Sequence, residues 1–539
     1  MQRKITFYLL SSLLIINLAG FSQLKDPIQA GKNIAIVNIK SGKVRGYIHN
    51  SVYTYKGIPY AKAGRFMPPS GDVSWTGIRS SMSYGPVCPI DPVTTVNDEF
   101  EFPFHHDLGY PNENCLSLNV WTRHINDKSK RPVMVWFHGG GFTAGSSIEL
   151  PSYDGEQISK KGDVVLVSVN HRLNILGFLD LSAYGEKYKS SANAGLLDLQ
   201  SSLQWVKDNI EQFGGDPNNV TIFGQSGGGG KVTSLLNAPS AKGLFNKAIV
   251  ESGSYLTSFM EPAVSKRIAA AVLEELNITS SNIDSIQTVS YEKLNNAGHR
   301  ALTKVQKDLI AEGKPPAGFG LSWGPVLDGA FLPFQPSTNE AIAISNEIPL
   351  LVGTTKNEFT PFIPGTRDIT MEAANKIIEK KYPGKTASYI AAVKKAYPNT
   401  QKPSDFLDID LMFRQGALKQ ANMKSRPGAA PVYMYLFEWQ SPVLDGAYKA
   451  FHCMDIAFHF NNIARCEEMT GGGKEAYSLA NKISQSWINF ASTGNPNATG
   501  LPVWPKYTEN NGATMIFDNN SVIRYHHDGD LLKIVSTDK

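Results

Sequence analysis

Short apolar runs that alternate with helical patterns predict an α/β chain, built on one large, open, mostly parallel sheet flanked by helices. Two observations carry that expectation. Residues 133–137 (VMVWF), 164–169 (VVLVSV), 220–223 (VTIF), 247–250 (KAIV), 349–352 (PLLV) and 432–437 (VYMYLF) are candidate strands. Several are apolar on both faces, as strands covered on both sides must be. Helical periodicity fills the intervals, most clearly over 196–213 (LLDLQSSLQWVKDNIEQF), where apolar residues recur every three or four positions and Gly-Gly-Asp-Pro ends the pattern. One interruption stands out. Residues 257–346 are more helical than the rest and read as a lid or subdomain inserted into the alternation, not as a separate domain.

The composition agrees. The chain has 539 residues, 42% hydrophobic and 19% charged, enough apolar mass for a large core. That excludes a disordered tail, a collagen-like repeat and a disulfide-dense miniprotein. A formal charge of +4 with no clustered Lys/Arg run gives no electrostatic footprint for nucleic acid.

The first residues read as a secretory leader. Arg3 and Lys4 precede an apolar run over 5–21, and the small residues Gly20 and Ser22 precede Gln23. The run falls short of the roughly 20 residues that span a bilayer, no later stretch reaches that length, and no Cys ends it. The expectation is a signal peptide over 1–22, a single domain over 23–539, export to the periplasm or outside the cell, and no stable membrane anchor. In an exported chain, four cysteines (Cys88, Cys115, Cys453 and Cys466) suggest disulfides, with three connectivities open. Nearest-neighbour pairing would close Cys88–Cys115 and Cys453–Cys466, each worth roughly 3 kcal/mol on a chain-entropy estimate. Metal-ligand spacing is absent, so no zinc site is expected.

The sharpest chemical signal follows the strand at 220–223. Gly224-Gln225-Ser226-Gly227-Gly228 is G-x-S-x-G in its required setting, strand then turn then helix. The turn is sharp enough to strain the serine backbone, and side chains at 224 and 228 would collide with neighbouring backbone. In return the hydroxyl stands clear of the sheet at a helix N-terminus, where developing negative charge is favoured. Gly230-Lys231 does not continue this into a phosphate loop, which needs Gly where Gln225 stands and Ser or Thr where Val232 stands.

A second signal follows the strand at 133–137, where the chain continues as His138-Gly139-Gly140-Gly141-Phe142. Three glycines in a row are costly unless backbone must come close to something. Gly140 and Gly141 are expected to donate N–H groups to the oxyanion of a tetrahedral intermediate, with Gly227 as a third donor.

Chains with such an elbow order their triad as serine, acid, histidine. His452, His459, His526 and His527 follow the acid chosen here. His452 comes after the strand at 432–437 and a loop, where its ring can reach Ser226, and is the expected base. His459 lies in an apolar helical stretch and reads as a pocket wall or core histidine. His526 and His527 end a terminal hairpin. For the acid, the strand at 349–352 leads to Glu358, just past its end at the edge where such a carboxylate belongs; the rival Asp328 reads as a turn residue. Ser226 would then attack an ester carbonyl while His452 takes its proton and Glu358 holds the ring. No metal or cofactor is needed.

Taken together, these motifs resemble those of the type-B carboxylesterase/cholinesterase family of α/β-hydrolases across residues 37–517. Matching stretches include KGIPYAKAGRF (56–66), ENCLSLNVW (113–121), FHGGGF (137–142), VNHRLNILGFL (169–179), ESGS (251–254), WGPVLDG (323–329), KNE (356–358) and NFASTGNPN (489–497). The resemblance implies an α/β-hydrolase fold, the triad Ser226, Glu358 and His452, and the oxyanion donors Gly140, Gly141 and Gly227. It also implies a Cys88–Cys115 disulfide loop, an Arg65–Glu113 ion pair, and Ser252 as a support for the acid. A Cys453–Cys466 pair is less typical of the family.

Two departures bear on substrate. Gln225 stands where cholinesterases carry an acid, and residues 89–114 hold no Trp to stack on a choline cation. Choline esters are therefore not the expected substrates. Ala61-Lys62-Ala63-Gly64 also replaces the family's proline-rich turn. The expected activity is serine carboxylic-ester hydrolysis of a small-molecule ester. The alternatives are an amidase or thioesterase with the same triad, or a non-catalytic binding protein on the same scaffold. Phe142, Phe359, Phe362 and His459 are the candidate pocket walls.

Overall fold

All six apolar runs are strands of one sheet. The structure, a computed structural model, describes residues 26–71, 73–92, 98–254, 258–316, 318, 320–363 and 365–536; the expected leader over 1–22 lies outside them. In chain order the strands of the main sheet are β1 (Tyr47–His49), β2 (Val52–Pro59), β3 (Ser117–Thr122), β4 (Arg131–Phe137), β5 (Val165–Val169), β6 (Gly215–Gln225), β7 (Lys247–Glu251), β8 (Leu350–Thr355), β9 (Val432–Phe437), β10 (Ala513–Phe517) and β11 (Val522–Tyr525). Their spatial order is β11-β10-β9-β8-β7-β6-β4-β5-β3-β2-β1. Pairing is parallel from β10 across to β5 and antiparallel at both ends, where β10 meets β11 and β5 meets β3. The terminal hairpin and the mostly parallel centre are as expected.

The alternation of side chains along each strand explains why both faces are covered. Val133 and Val135 of β4, Val167 of β5 and Ile222 of β6 share one core with Leu196, Leu199, Leu203 and Val206. Met134, Trp136, Leu166 and Phe223 enter a second core on the opposite face, with Ile483, Trp487 and Phe490. Those partners come from the helices Ala194–Asn209 and Lys474–Thr493 respectively. Each fully buried Leu, Ile, Val or Phe contributes about 1.5–3 kcal/mol relative to exposure, so a strand apolar at every position is stabilised from both sides. The predicted helix at 196–213 is Ala194–Asn209 followed by the 3-10 turn Ile210–Phe213, and Gly214 at φ 74° ends it in the left-handed region.

Between β7 and β8 the chain leaves the sheet. Pro262–Glu275 and Tyr291–Ala311 pack on each other, and Asn339–Ile344 returns the chain to β8, which is the inserted helical subdomain read from the sequence.

The disulfide expectations need correction, because all four cysteines are buried free thiols. Cys88 and Cys115 do not form the expected bond. The neighbouring Cys88 thiol, and then burial, hold the Cys115 thiol well above its usual range. Cys88 Sγ also accepts from the Leu173 N–H at 3.2 Å. Cys453 and Cys466 are separated by the helix Met454–His459. Cys453 Sγ donates instead to Gln225 Oε1 (3.1 Å), while Cys466 stands at the start of the helix Glu467–Thr470.

Candidate active site

The crevice lies at the carboxyl ends of β4, β6, β7, β8 and β9. The strand order reverses there, since β4 pairs with both β5 and β6, and α/β sheets open a cleft at such a point.

Ser226 stands between β6 and the helix Gly227–Leu236 with φ 57° and ψ −124°. For a residue with a Cβ this conformation costs of order 1–3 kcal/mol and persists only if its surroundings enforce it. They do. The Ser226 N–H donates to Glu251 O (2.8 Å) at the end of β7, and the Gly230 N–H donates to Ser226 O (2.9 Å). A Cβ at Gly228 would lie 2.0 Å from Phe137 O, and one at Gly224 would lie 2.6 Å from the same oxygen, so only glycine fits either position.

The loop after β4 runs beside this elbow. Gly140 and Gly141 have φ 79° and 61°, and the Ala144 N–H closes a turn onto Gly140 O (2.9 Å). A Cβ on Gly227 would fall 2.2 Å from Gly141 O, which shows how closely the elbow abuts the loop. Among the described residues, the Gly140 and Gly141 N–H groups have no backbone acceptor. Gly140, Gly141, Gly227 and Ser226 all line one cavity of about 430 Å³, whose other walls include Phe142, Phe259, Trp323, Phe359, Met412 and Phe413.

Glu358 follows β8 at φ 39° and is fully buried. Its Oε1 accepts from Ser252 Oγ (2.6 Å) and from the Thr355 N–H (2.9 Å). Its Oε2 is paired with Nδ1 of His452. The His452 N–H donates to Glu358 O (3.1 Å), so backbone and side chain both tie the loop after β9 to the loop after β8. The Gln225 Nε2 is 3.3 Å from each ring nitrogen of His452, an equidistance that places the amide over the ring face and the ring one residue from Ser226. The ring also packs against Phe359, centroids 4.1 Å apart and planes tilted by 35°. Among the described residues no hydrogen bond joins Ser226 Oγ to His452. His452 and Phe359 also line a second cavity of about 760 Å³ with Phe100, Phe104, Phe362 and Tyr448.

Beneath the elbow lies a buried charged cluster. Glu251 Oε1 accepts from Trp487 Nε1 (2.7 Å) and lies 3.1 Å from His459 Nδ1, and the His459 ring stacks on Trp487 at 3.9 Å. Burial alone would lower the His459 pKa, but the Glu251 and Asp455 carboxylates raise it. Burial, with Glu251 and Glu358 adding to it, pushes Asp455 up to about 6 against the opposing pull of His459.

Most candidate positions converge here. Ser226, Gly140, Gly141 and Gly227 share one cavity wall, Glu358 meets His452, and Ser252 supports Glu358. Phe142 and Phe359 line the first cavity, and Phe362 lines the second. His459 is a core histidine and lines neither. Asp328 is a turn residue, its Oδ1 accepting from the N–H groups of Ala330, Phe331 and Leu332. His526 and His527 lie elsewhere, on Asn510 and Glu438. Arg65 and Glu113 form the implied two-pronged ion pair. Sequence reasoning missed Phe259, Trp323, Met412 and Phe413 as walls and gave Lys231 no role; Trp323 opens the matched stretch 323–329, and nothing local in the sequence marks the other three walls.

A family model described as the carboxylesterase family matches residues 33–530. The chain is 37% identical over 495 residues to the para-nitrobenzyl esterase of Bacillus subtilis (strain 168), covering 90% of this chain and 96% of that one. It is 31% identical over 503 residues to the phenmedipham hydrolase of Pseudarthrobacter oxydans, covering 89% and 94%. Among solved structures, it superposes with a TM-score of 0.81 and 38% identity on an esterase from anaerobic Clostridium hathewayi described as able to hydrolyze aliphatic aromatic polyesters, covering 95% of this chain and 99% of that one.

Proposed function

The chain belongs to the carboxylesterase family and is a carboxylic-ester hydrolase, and from that premise we propose that it is an exported enzyme working through an acyl-enzyme on Ser226. The observation that carries this reading is the enforced backbone of Ser226, which holds its hydroxyl in the cavity beside the Gly140, Gly141 and Gly227 amides.

Ser226 attacks the ester carbonyl and His452 takes its proton through Nε2. Glu358, fixed by Ser252 and Thr355, keeps the His452 proton on Nδ1 and stabilises the imidazolium. The carbonyl oxygen becomes an oxyanion facing the three glycine amides, each typically worth about 10²–10³ in turnover. His452 returns the proton to the leaving alkoxide, and water repeats the sequence on the acyl-enzyme. The hydrogen bond between Ser226 and His452 closes when substrate fills the cavity, since catalytic contacts tighten in the bound complex.

The bulkiest cavity walls are Phe142, Phe259, Trp323, Phe359 and Phe413, with Met412 beside them, which favours an ester with an apolar acyl or aryl group. The relatives named for para-nitrobenzyl esters and aliphatic aromatic polyesters support that direction. Export rests on the basic, apolar and small-residue order of 1–22. Hydrolysis of p-nitrophenyl esters of increasing chain length tests the chemistry: Ser226→Ala should abolish turnover, and wild-type protein inert to every ester would overturn it. Cell fractionation of full-length chain against chain lacking 1–22 tests the export.

A further inference from the structure

Lys231 sits on the helix that opens at the elbow, and its side chain is fully buried. It lies near the N-terminal end of that helix, where the dipole disfavours a cation. Burying an ammonium costs several kcal/mol unless it is well partnered. Its partners are two backbone carbonyls of the glycine loop: Nζ donates to His138 O at 2.8 Å and to Gly139 O at 3.4 Å. Gly139 O also accepts from His138 Nδ1 at 2.9 Å. The carbonyl of Gly139 and the N–H of Gly140 belong to one peptide group. A donor on the carbonyl fixes that peptide's orientation and strengthens its N–H as a donor.

We propose that Lys231 is a positioning residue for ester hydrolysis, gripping the His138 and Gly139 carbonyls so that the Gly140 N–H is aimed at the oxyanion. This rests on the oxyanion role given to Gly140 under Proposed function. Two further features fit. The titratable groups that act on the ammonium are the partly buried Glu149 carboxyl and the His138 and His171 rings. Burial, with the Lys231 charge adding to it, drives both rings well below their ordinary pKa, so they stay neutral behind the loop. Burial lowers Lys231 itself to about 7, with Glu149 opposing.

The test compares Lys231→Met, which keeps length and apolar packing, with Lys231→Arg, which keeps charge and donors. Three quantities are read: kcat and KM for a p-nitrophenyl ester, and the affinity of a trifluoromethyl ketone. Ser226 Oγ adds to that ketone's carbonyl carbon, its proton passes to His452, and the oxygen becomes an oxyanion. Lys231→Met should lower kcat by about 10- to 100-fold, below the loss of a whole donor, with KM changed less than about three-fold. The ketone should weaken by the same factor as kcat, and Lys231→Arg should recover part of both. A folded Lys231→Met with unchanged kcat, or with its loss confined to KM, or with unchanged ketone affinity, overturns the proposal. If Lys231→Met does not fold, Lys231→Gln takes its place against Lys231→Arg, and equal kcat in those two overturns it. Wild-type protein separates the two layers. If it binds the trifluoromethyl ketone no more tightly than the corresponding secondary alcohol, which forms no oxyanion, the oxyanion reading fails first. If it binds the ketone more tightly and Lys231→Met leaves kcat unchanged, only the positioning role fails.

Discussion

Replacing Glu358 by Gln tests the triad with almost no change in shape. One side-chain oxygen can still accept from Ser252 Oγ (2.6 Å) and the Thr355 N–H (2.9 Å). The amide NH2 then occupies the position of Oε2 and faces His452 Nδ1. Two donors cannot share that contact, so the imidazole must carry its proton on Nε2 and accept on Nδ1. In that tautomer Nε2 has no lone pair for the Ser226 proton. The wrong tautomer in a serine triad costs about 10⁴ in kcat, equal to about 5.5 kcal/mol of barrier. Binding groups are untouched, so KM should stay within a few-fold. Since both acceptor contacts of Oε1 survive, stability should change by less than about 1–2 kcal/mol. Steady-state hydrolysis of p-nitrophenyl butyrate, with a thermal melt to establish folding, reads both quantities. A folded Glu358→Gln variant retaining more than a tenth of wild-type kcat would refute the role given to Glu358.

Other outcomes follow from the same geometry. Phe359 lines both cavities and packs on His452, so Phe359→Ala should join them and lower KM for esters of bulky aryl alcohols relative to esters of small alkyl alcohols with the same acyl group; an unchanged KM ratio across a series of alcohols contradicts this. Arg414 and Asp528 form a buried two-pronged pair at 2.8 and 3.1 Å, so Arg414→Ala, which strands the carboxylate, should destabilise by about 3–5 kcal/mol in denaturant melts, and a loss under about 1 kcal/mol contradicts it. Asp410 is raised from 3.8 to about 7 by burial and then by the Glu358 charge. A pKa raised on folding stabilises below the unfolded value and is lost as pH rises through the folded one. Asp410→Asn should therefore gain melting temperature relative to wild type as pH rises from about 4 to about 7, and parallel pH profiles would contradict that assignment.

The strands were legible because a strand covered on both faces leaves an unbroken apolar run. The elbow and glycine loop were legible because close backbone approach admits one residue type, as the 2.0 Å separation at Gly228 shows. Glu358 was found from its place after a strand end. What the sequence hid depends on contacts between distant segments. His459, Glu251 and Trp487 meet from three separate elements, and Met412 and Phe413 reach the cavity from a helix with no motif. Gly230-Lys231 fails as a phosphate loop on sequence alone, and only the His138 and Gly139 carbonyls show what Lys231 holds. The cysteines misled because an even count carries no distance. The helix Met454–His459 keeps Cys453 and Cys466 apart, and Cys88 and Cys115 meet as thiols.

The most direct measurement is mass spectrometry of the intact enzyme after reaction with an organophosphate, followed by peptide mapping. One adduct per chain on the peptide containing Ser226, formed at least a hundred-fold more slowly in His452→Ala, is the predicted result. Rapid ester turnover with no adduct, or with the adduct on any other side chain, would contradict the assignment of Ser226 as nucleophile.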